Sequence, residues 1–152
     1  MRRLSLLTFL LSVAWSVASA QVVAPEPKSD TEARNMETMR LWGEEVWGKG
    51  RLELVPDLVA PQYIRHNADG SRTVTPEGYA LEIAENRDRN MIFETNAIAI
   101  DGNLLWTRWS GSVDGPDGQQ TTFKGIQIYR FADGKLAETW NLFEIGDHWP
   151  DN

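Results

Sequence analysis

The chain has no cysteine, which at once excludes a disulfide framework, a thiol nucleophile and a thiolate metal site. It has only two histidines, His66 and His148, and no His-x-x-x-His or comparable spacing, so no metal is expected. Basic clusters are missing as well. Fifteen Lys and Arg stand against 22 Asp and Glu, a formal net charge of −7, and nothing in that balance would neutralise a phosphate backbone. Nucleic acid is therefore not an expected partner. A glycine-rich phosphate loop is lacking too: Gly115-Pro116-Asp117-Gly118 contains proline and falls between strand patterns rather than ahead of a helix. No cofactor is expected. Internal repeats and low-complexity blocks are absent, and without disulfides stability must come from packing.

The long apolar run that does exist lies at the start. Arg2 and Arg3 precede the apolar stretch Leu4 to Val17, and Ala18-Ser19-Ala20 closes it with small residues, the pattern of a secretory signal. Serines interrupt the run, and it is shorter than the roughly 20 residues a spanning helix needs, so cleavage after Ala20 is expected rather than retention as an anchor. The mature chain would then be secreted or periplasmic, with no membrane association. Removing twenty residues from 152 leaves 132, and losing two arginines takes the charge to −9. That length suits one domain. Residues 21–28, with Pro25 and Pro27, read as a flexible N-terminus, 29–148 as the domain and 149–152 as a tail.

Helical signals come first. Ser29 with Glu32 three residues on has the capping-box spacing, and Met36, Met39, Trp42, Val46 and Trp47 recur at helical intervals until Gly48 and Gly50. Leu52 to Val59 predicts a short second helix bent near Pro56, and Tyr63 to Asn67 an extended segment entering the Asp69-Gly70 turn. Thr75-Pro76-Glu77 opens a third helix, expected to reach about Asp88, with a capping hydroxyl, proline at the first position and an acid near the dipole's positive end. From Met91 the pattern changes to strands over 91–100, 104–113, 119–131 and 136–145, punctuated by Asp101-Gly102-Asn103, Asp114 to Gly118 and Asp133-Gly134. Helices followed by a strand meander predict α+β, with helices on one face of a curved sheet and a concave space between them.

The last hairpin, Phe123 to Glu144, is the most informative stretch. Asp133-Gly134 between alternating segments is a strong tight-turn signal. With period 2, Thr139, Asn141 and Phe143 share one face and Glu138, Trp140 and Leu142 the other. Gly125, Gln127 and Tyr129 have the parity that a tight hairpin would place beside Thr139 and Asn141.

Four stretches, Val46 to Gly50, Leu58 to Asn67, Pro76 to Gly78 and Asp133 to Asn141, resemble the SnoaL-like polyketide cyclase family of the nuclear transport factor 2 (NTF2)-like superfamily. The resemblance covers nearly the whole mature chain. It implies an NTF2-like cone, three N-terminal helices packed on a strongly curved antiparallel or mixed sheet. In those cyclases the final strand carries a Gly-Lys-Ile-x-Glu-His-Trp-Asp type motif whose histidine and aspartate face the pocket, the aspartate acting as general acid and base. Here those positions hold Thr139 and Asn141. An amide cannot exchange a proton near neutral pH, whereas a positioned carboxylate contributes roughly two to four orders of magnitude in rate.

His66, in the family's Tyr-x-x-His-Asn element, is then the candidate acid-base group, with Asn141 beside it as a second catalytic candidate. Tyr63, Trp109, Gln127, Tyr129, Thr139 and Phe143 are the candidate ligand-binding residues. Arg65, Arg108 and Glu94 have solvent-face ion pairs as their default. Three functions stay open: a cofactor-independent cyclase, isomerase or lyase using His66 on a small carbonyl compound; a non-catalytic module that binds a small apolar or carbonyl-containing ligand; and a homodimer formed through the outer sheet face, compatible with either.

Overall fold

The computed structural model describes residues 24–147 and 149. The expected signal segment and His148 lie outside the described residues. Helix α1 spans Asp30–Leu41, and Ser29 caps it as its spacing predicts, its hydroxyl accepting the Glu32 N–H at 3.2 Å. The Glu32 carboxylate goes elsewhere than a capping box would send it. It accepts the Gly102 N–H at 2.9 Å and the Lys28 N–H at 2.6 Å, and these two backbone donors hold the buried carboxyl below its ordinary value. Helix α1 is thus fastened to the turn between the third and fourth strands. Asn35, fully buried, adds a bond from Nδ2 to the Gly102 carbonyl at 3.1 Å.

From Trp42 to Gly48 the helix widens into a π-helical segment, where the Lys49 N–H reaches back five residues to the Glu44 carbonyl at 3.1 Å. Widened turns of this kind recur at functional sites. A 3₁₀ turn at Leu52–Leu54 leads into the single-turn helix α2, Val55–Leu58, with Pro56 in its first turn. Helix α3, Pro76–Asp88, begins where the Thr75 hydroxyl accepts the Gly78 N–H at 3.2 Å.

Among the described residues six strands form one sheet in the order β2-β1-β6-β5-β4-β3: β1 Val59–Asn67, β2 Gly70–Val74, β3 Ile92–Asp101, β4 Leu104–Asp114, β5 Gln120–Ala132 and β6 Lys135–Ile145. The four later strands lie within a residue or two of their predicted bounds. The extended segment before Asp69-Gly70 proves to be half of a hairpin, β1 with β2, and β1 runs parallel to β6 while all other pairs are antiparallel. The sheet is therefore mixed, with helices on one side, an α+β cone. The core between them contains Val46, Val55, Val59, Tyr63, Ile83, Leu105 and Leu136, all without exposure. Among the described residues no helix is long and apolar enough to cross a membrane.

The last hairpin has the expected turn: Asp133 and Gly134 both have positive φ, 52° and 79°, the pair of left-handed conformations a two-residue turn requires. Its register departs from a plain hairpin. Ala132 pairs Lys135 and Phe131 pairs Leu136, but the next pair is Arg130 with Glu138, so Ala137 is an unpaired bulge. Carried on without that bulge, the turn would have set Gln127 opposite Trp140. The expected parity of Gln127 with Asn141 is found, yet the extra residue produces it and the turn alone does not.

Candidate functional site

The concave face of the sheet and helices α1 and α3 enclose a cavity of about 550 Å³, within the usual range of roughly 300 to 1,000 Å³ for small-ligand pockets. Its sheet wall is built in cross-strand rows. Leu105, Tyr129, Thr139 and Arg65 form one row across β4, β5, β6 and β1. The next is Ile98, Thr107, Gln127 and Asn141, and the one after it Thr95, Trp109, Gly125 and Phe143. Thr107, Gln127 and Asn141 thus form an uncharged polar row across three strands, with the aromatic row of Trp109 and Phe143 on one side and the row ending in Arg65 on the other.

Two glycines shape the aromatic end. A Cβ on Gly125 would lie 2.6 Å from Trp109 Cζ2, and one on Gly111 2.6 Å from Phe123 Cε2, so each ring takes the space that a side chain on the neighbouring strand would need. Phe93 meets the Trp109 ring edge-on at 5.4 Å and the Trp47 ring at 4.8 Å, joining sheet to π-helical segment. On the helix side Trp42, Gly43, Trp47 and Gly48 line the cavity, as the widened turn presents them.

Of the residues singled out from sequence, Trp109, Gln127, Tyr129, Asn141 and Phe143 line this cavity. Tyr63 and Thr139 do not. Both are buried on the same inner face beside the cavity, where the Tyr63 hydroxyl donates to Thr139 Oγ1 at 3.1 Å. His66 is the larger correction. Alternation on β1 sends it to the outer face, stacked on Trp140 with ring centroids 5.2 Å apart, its Nε2 2.7 Å from Glu138 Oε1 and its Nδ1 2.6 Å from Ser71 Oγ. Arg130 Nε donates to the other Glu138 oxygen at 2.7 Å. The His66 ring, with Arg130, holds the Glu138 carboxyl below its usual value.

The neighbouring residue takes the inner face instead. Arg65 lines the cavity, its guanidinium 4.4 Å above the Tyr79 ring and 2.7 Å from Glu82. Its ion pair was expected on the solvent face. The period-2 pattern that put Tyr63 inside already implied the same for Arg65, two residues on. Thr107, Phe93, Phe123 and Tyr79 carried no motif and were not singled out.

The remaining polar lining comes from Asn86, Arg87, Asn90 and Thr95. Arg87 donates to the Trp47 carbonyl. Burial pushes the Tyr79 and Tyr129 phenols up, away from neutral titration. Trp109 Nε1 and Asn141 Oδ1, both shielded from solvent, have no hydrogen-bond partner among the described residues. An adjoining shallower recess shares Met39, Gly43, Phe93, Thr95 and Thr107 and holds an Arg40–Glu44 ion pair at 2.7 Å. No group of three or more metal-ligating side chains gathers among the described residues.

A mixed six-stranded sheet curved over helices among the described residues, with a cavity of mixed aromatic and polar lining between them, defines a small cone-shaped α+β protein. The family model of the SnoaL-like polyketide cyclases matches residues 37–145, and the chain belongs to that family. Solved structures agree in fold. A candidate polyketide cyclase from Acidithiobacillus ferrooxidans is 22% identical with a TM-score of 0.63, over 73% of this chain and 88% of that one. A candidate SnoaL-like polyketide cyclase from Jannaschia sp. CCS1 is 18% identical, TM-score 0.65, over 79% and 92%. An LEH-like epoxide hydrolase from M. tuberculosis is 14% identical, TM-score 0.62, over 74% and 84%. No curated protein matches the chain.

Proposed function

We propose that the protein binds a small, largely apolar molecule with a carbonyl or similar polar edge and holds it without chemical turnover. One observation carries this: among the described residues, every polar group lining the cavity is an amide, hydroxyl, phenol, indole or guanidinium. None of these exchanges protons readily near neutral pH. The unpartnered Trp109 N–H and Asn141 carbonyl oxygen supply a donor and an acceptor for the ligand's polar edge, and the surrounding rings supply its apolar contact. A cofactor-independent cyclase, isomerase or lyase working through His66 is the less favoured reading, because that ring is bonded to Glu138 on the far face of the sheet. Native mass spectrometry of the purified protein, offered a metabolite extract, should find a small molecule bound in stoichiometric amount. A spectrum of unliganded protein throughout, or accelerated deuterium exchange in a ketone lost on Asn141→Ala, would overturn the reading.

Export is part of the proposal, supported by the charged, apolar and small-residue succession of residues 1–20. Fractionation that leaves the uncut chain in the cytoplasm would remove it. A homodimer through the outer sheet face is supported by exposed Ile126, Trp140 and Leu142 lying together there. Sedimentation as a monomer at high micromolar concentration would exclude that contact.

A further inference from the structure

The cavity has a charge that the rest of the molecule does not share. The chain's formal net charge is −7, yet Arg65 and Arg87 line the cavity and no carboxylate does, among the described residues. Nor is Arg65 neutralised by its neighbour. Glu82 gives both its oxygens to Arg72, at 2.7 and 2.6 Å, and shares one of them with Arg65 at 2.7 Å. Two guanidinium groups therefore answer to one carboxylate, and Arg72 is half exposed while the Arg65 side chain is only 16% exposed. Arg87 has no carboxylate within ion-pair distance among the described residues, and its guanidinium is engaged by the Trp47 carbonyl.

A cation withdrawn from water without a full counter-charge is costly unless an anion completes it. Arg65 is well placed to receive one. It pairs across the strands with Thr139, two residues before Asn141 on the same face, so its row is next to the row of Thr107, Gln127 and Asn141, and all four residues line the same cavity. The Tyr79 ring beneath it fixes the planar group, and a guanidinium presents the fork that suits a carboxylate. On the other side of that row lies the buried Trp109, 7% exposed, with its unpartnered indole N–H.

We propose that the ligand is an organic anion: a flat apolar body seated among Trp47, Phe93 and Trp109, with a carboxylate or equivalent acidic group at its end taken by Arg65. This rests on the reading of the cavity as a ligand site and names the chemical class it selects. In a protein of negative net charge, an acidic ligand would otherwise be repelled, so the discrimination must be local.

The experiment compares each acid with its amide on the native protein: naphthoate with naphthamide, indoleacetate with indoleacetamide, and anthraquinone carboxylate with its carboxamide, by calorimetry and tryptophan quenching. At least one acid is expected to bind about tenfold or more tightly than its amide, with a preference that weakens in salt. Arg65→Gln should erase the preference and Arg65→Lys restore part of it. Equal affinity of acid and amide overturns the anionic class and leaves the ligand-site reading standing. A preference that survives Arg65→Gln in a folded variant overturns Arg65 as its source. If neither form of any skeleton binds, both readings fall.

Discussion

Arg65 and His66 are consecutive on β1 and their side chains stand on opposite faces of the sheet, Arg65 above Tyr79 in the cavity and His66 against Trp140 and Glu138 outside it. One step along a strand therefore separates a ligand contact from a surface brace. The difference has measurable consequences.

Replacing His66 by alanine should leave ligand affinity unchanged. The bonds to Ser71 and Glu138 are lost, at a cost of about 1 kcal/mol, visible as a lower urea midpoint. A large fall in affinity with unchanged stability would show that the ring communicates with the cavity after all.

Gly125→Ala addresses the aromatic wall. Its Cβ would fall 2.6 Å from both Trp109 Cζ2 and the Leu142 carbonyl oxygen, and one of these neighbours is backbone. A loss of about 1–3 kcal/mol is expected, together with altered tryptophan emission as the Trp109 ring is displaced. Unchanged stability and emission would mean that the ring does not rest on Gly125.

The buried Tyr63–Thr139 bond is suited to a double-mutant cycle. Thr139→Val leaves the buried phenol without this acceptor, costing about 1–3 kcal/mol, and Tyr63→Phe removes the donor. The double variant should lose less than the two singles together. Strict additivity would show that the bond contributes nothing.

Acid should weaken the outer-face brace through Glu138. Its carboxyl titrates lower in the fold than in the unfolded chain, so the ionised form adds stability above the unfolded value, about 4.3. That stability disappears as pH falls through the lower folded value. Glu138→Gln should flatten the acid limb of the stability curve in that window, by no more than about 1 kcal/mol because Arg130 is partly exposed. Equal acid limbs for the two proteins would contradict it.

Much of the fold was legible because its signals are local. Ser29, Thr75 and Asp133-Gly134 act through their own backbone neighbours, and each does what its spacing predicts. The strands from Met91 onward follow from alternation and turn residues for the same reason. The β1–β6 parallel pairing joins residues more than seventy positions apart, as Arg65 with Thr139, and no local pattern encodes it. The site was legible only in part. Gln127, Tyr129, Asn141, Phe143 and Trp109 line the cavity, but the place of His66 follows from its parity with Tyr63, which a motif-based reading passed over.

The sequence by itself determined the α1 and α3 helices and their caps, the four later strands, the tight turn at Asp133-Gly134, the family and the absence of thiol chemistry, because each depends on residue identity or on spacing within a few positions. Tertiary structure decided which face became the cavity wall. An Asp-Gly turn followed strictly would have turned Trp140 inward opposite Gln127, and the single unpaired residue at Ala137 reverses that, since a shift of one residue on a strand moves every side chain beyond it to the other face.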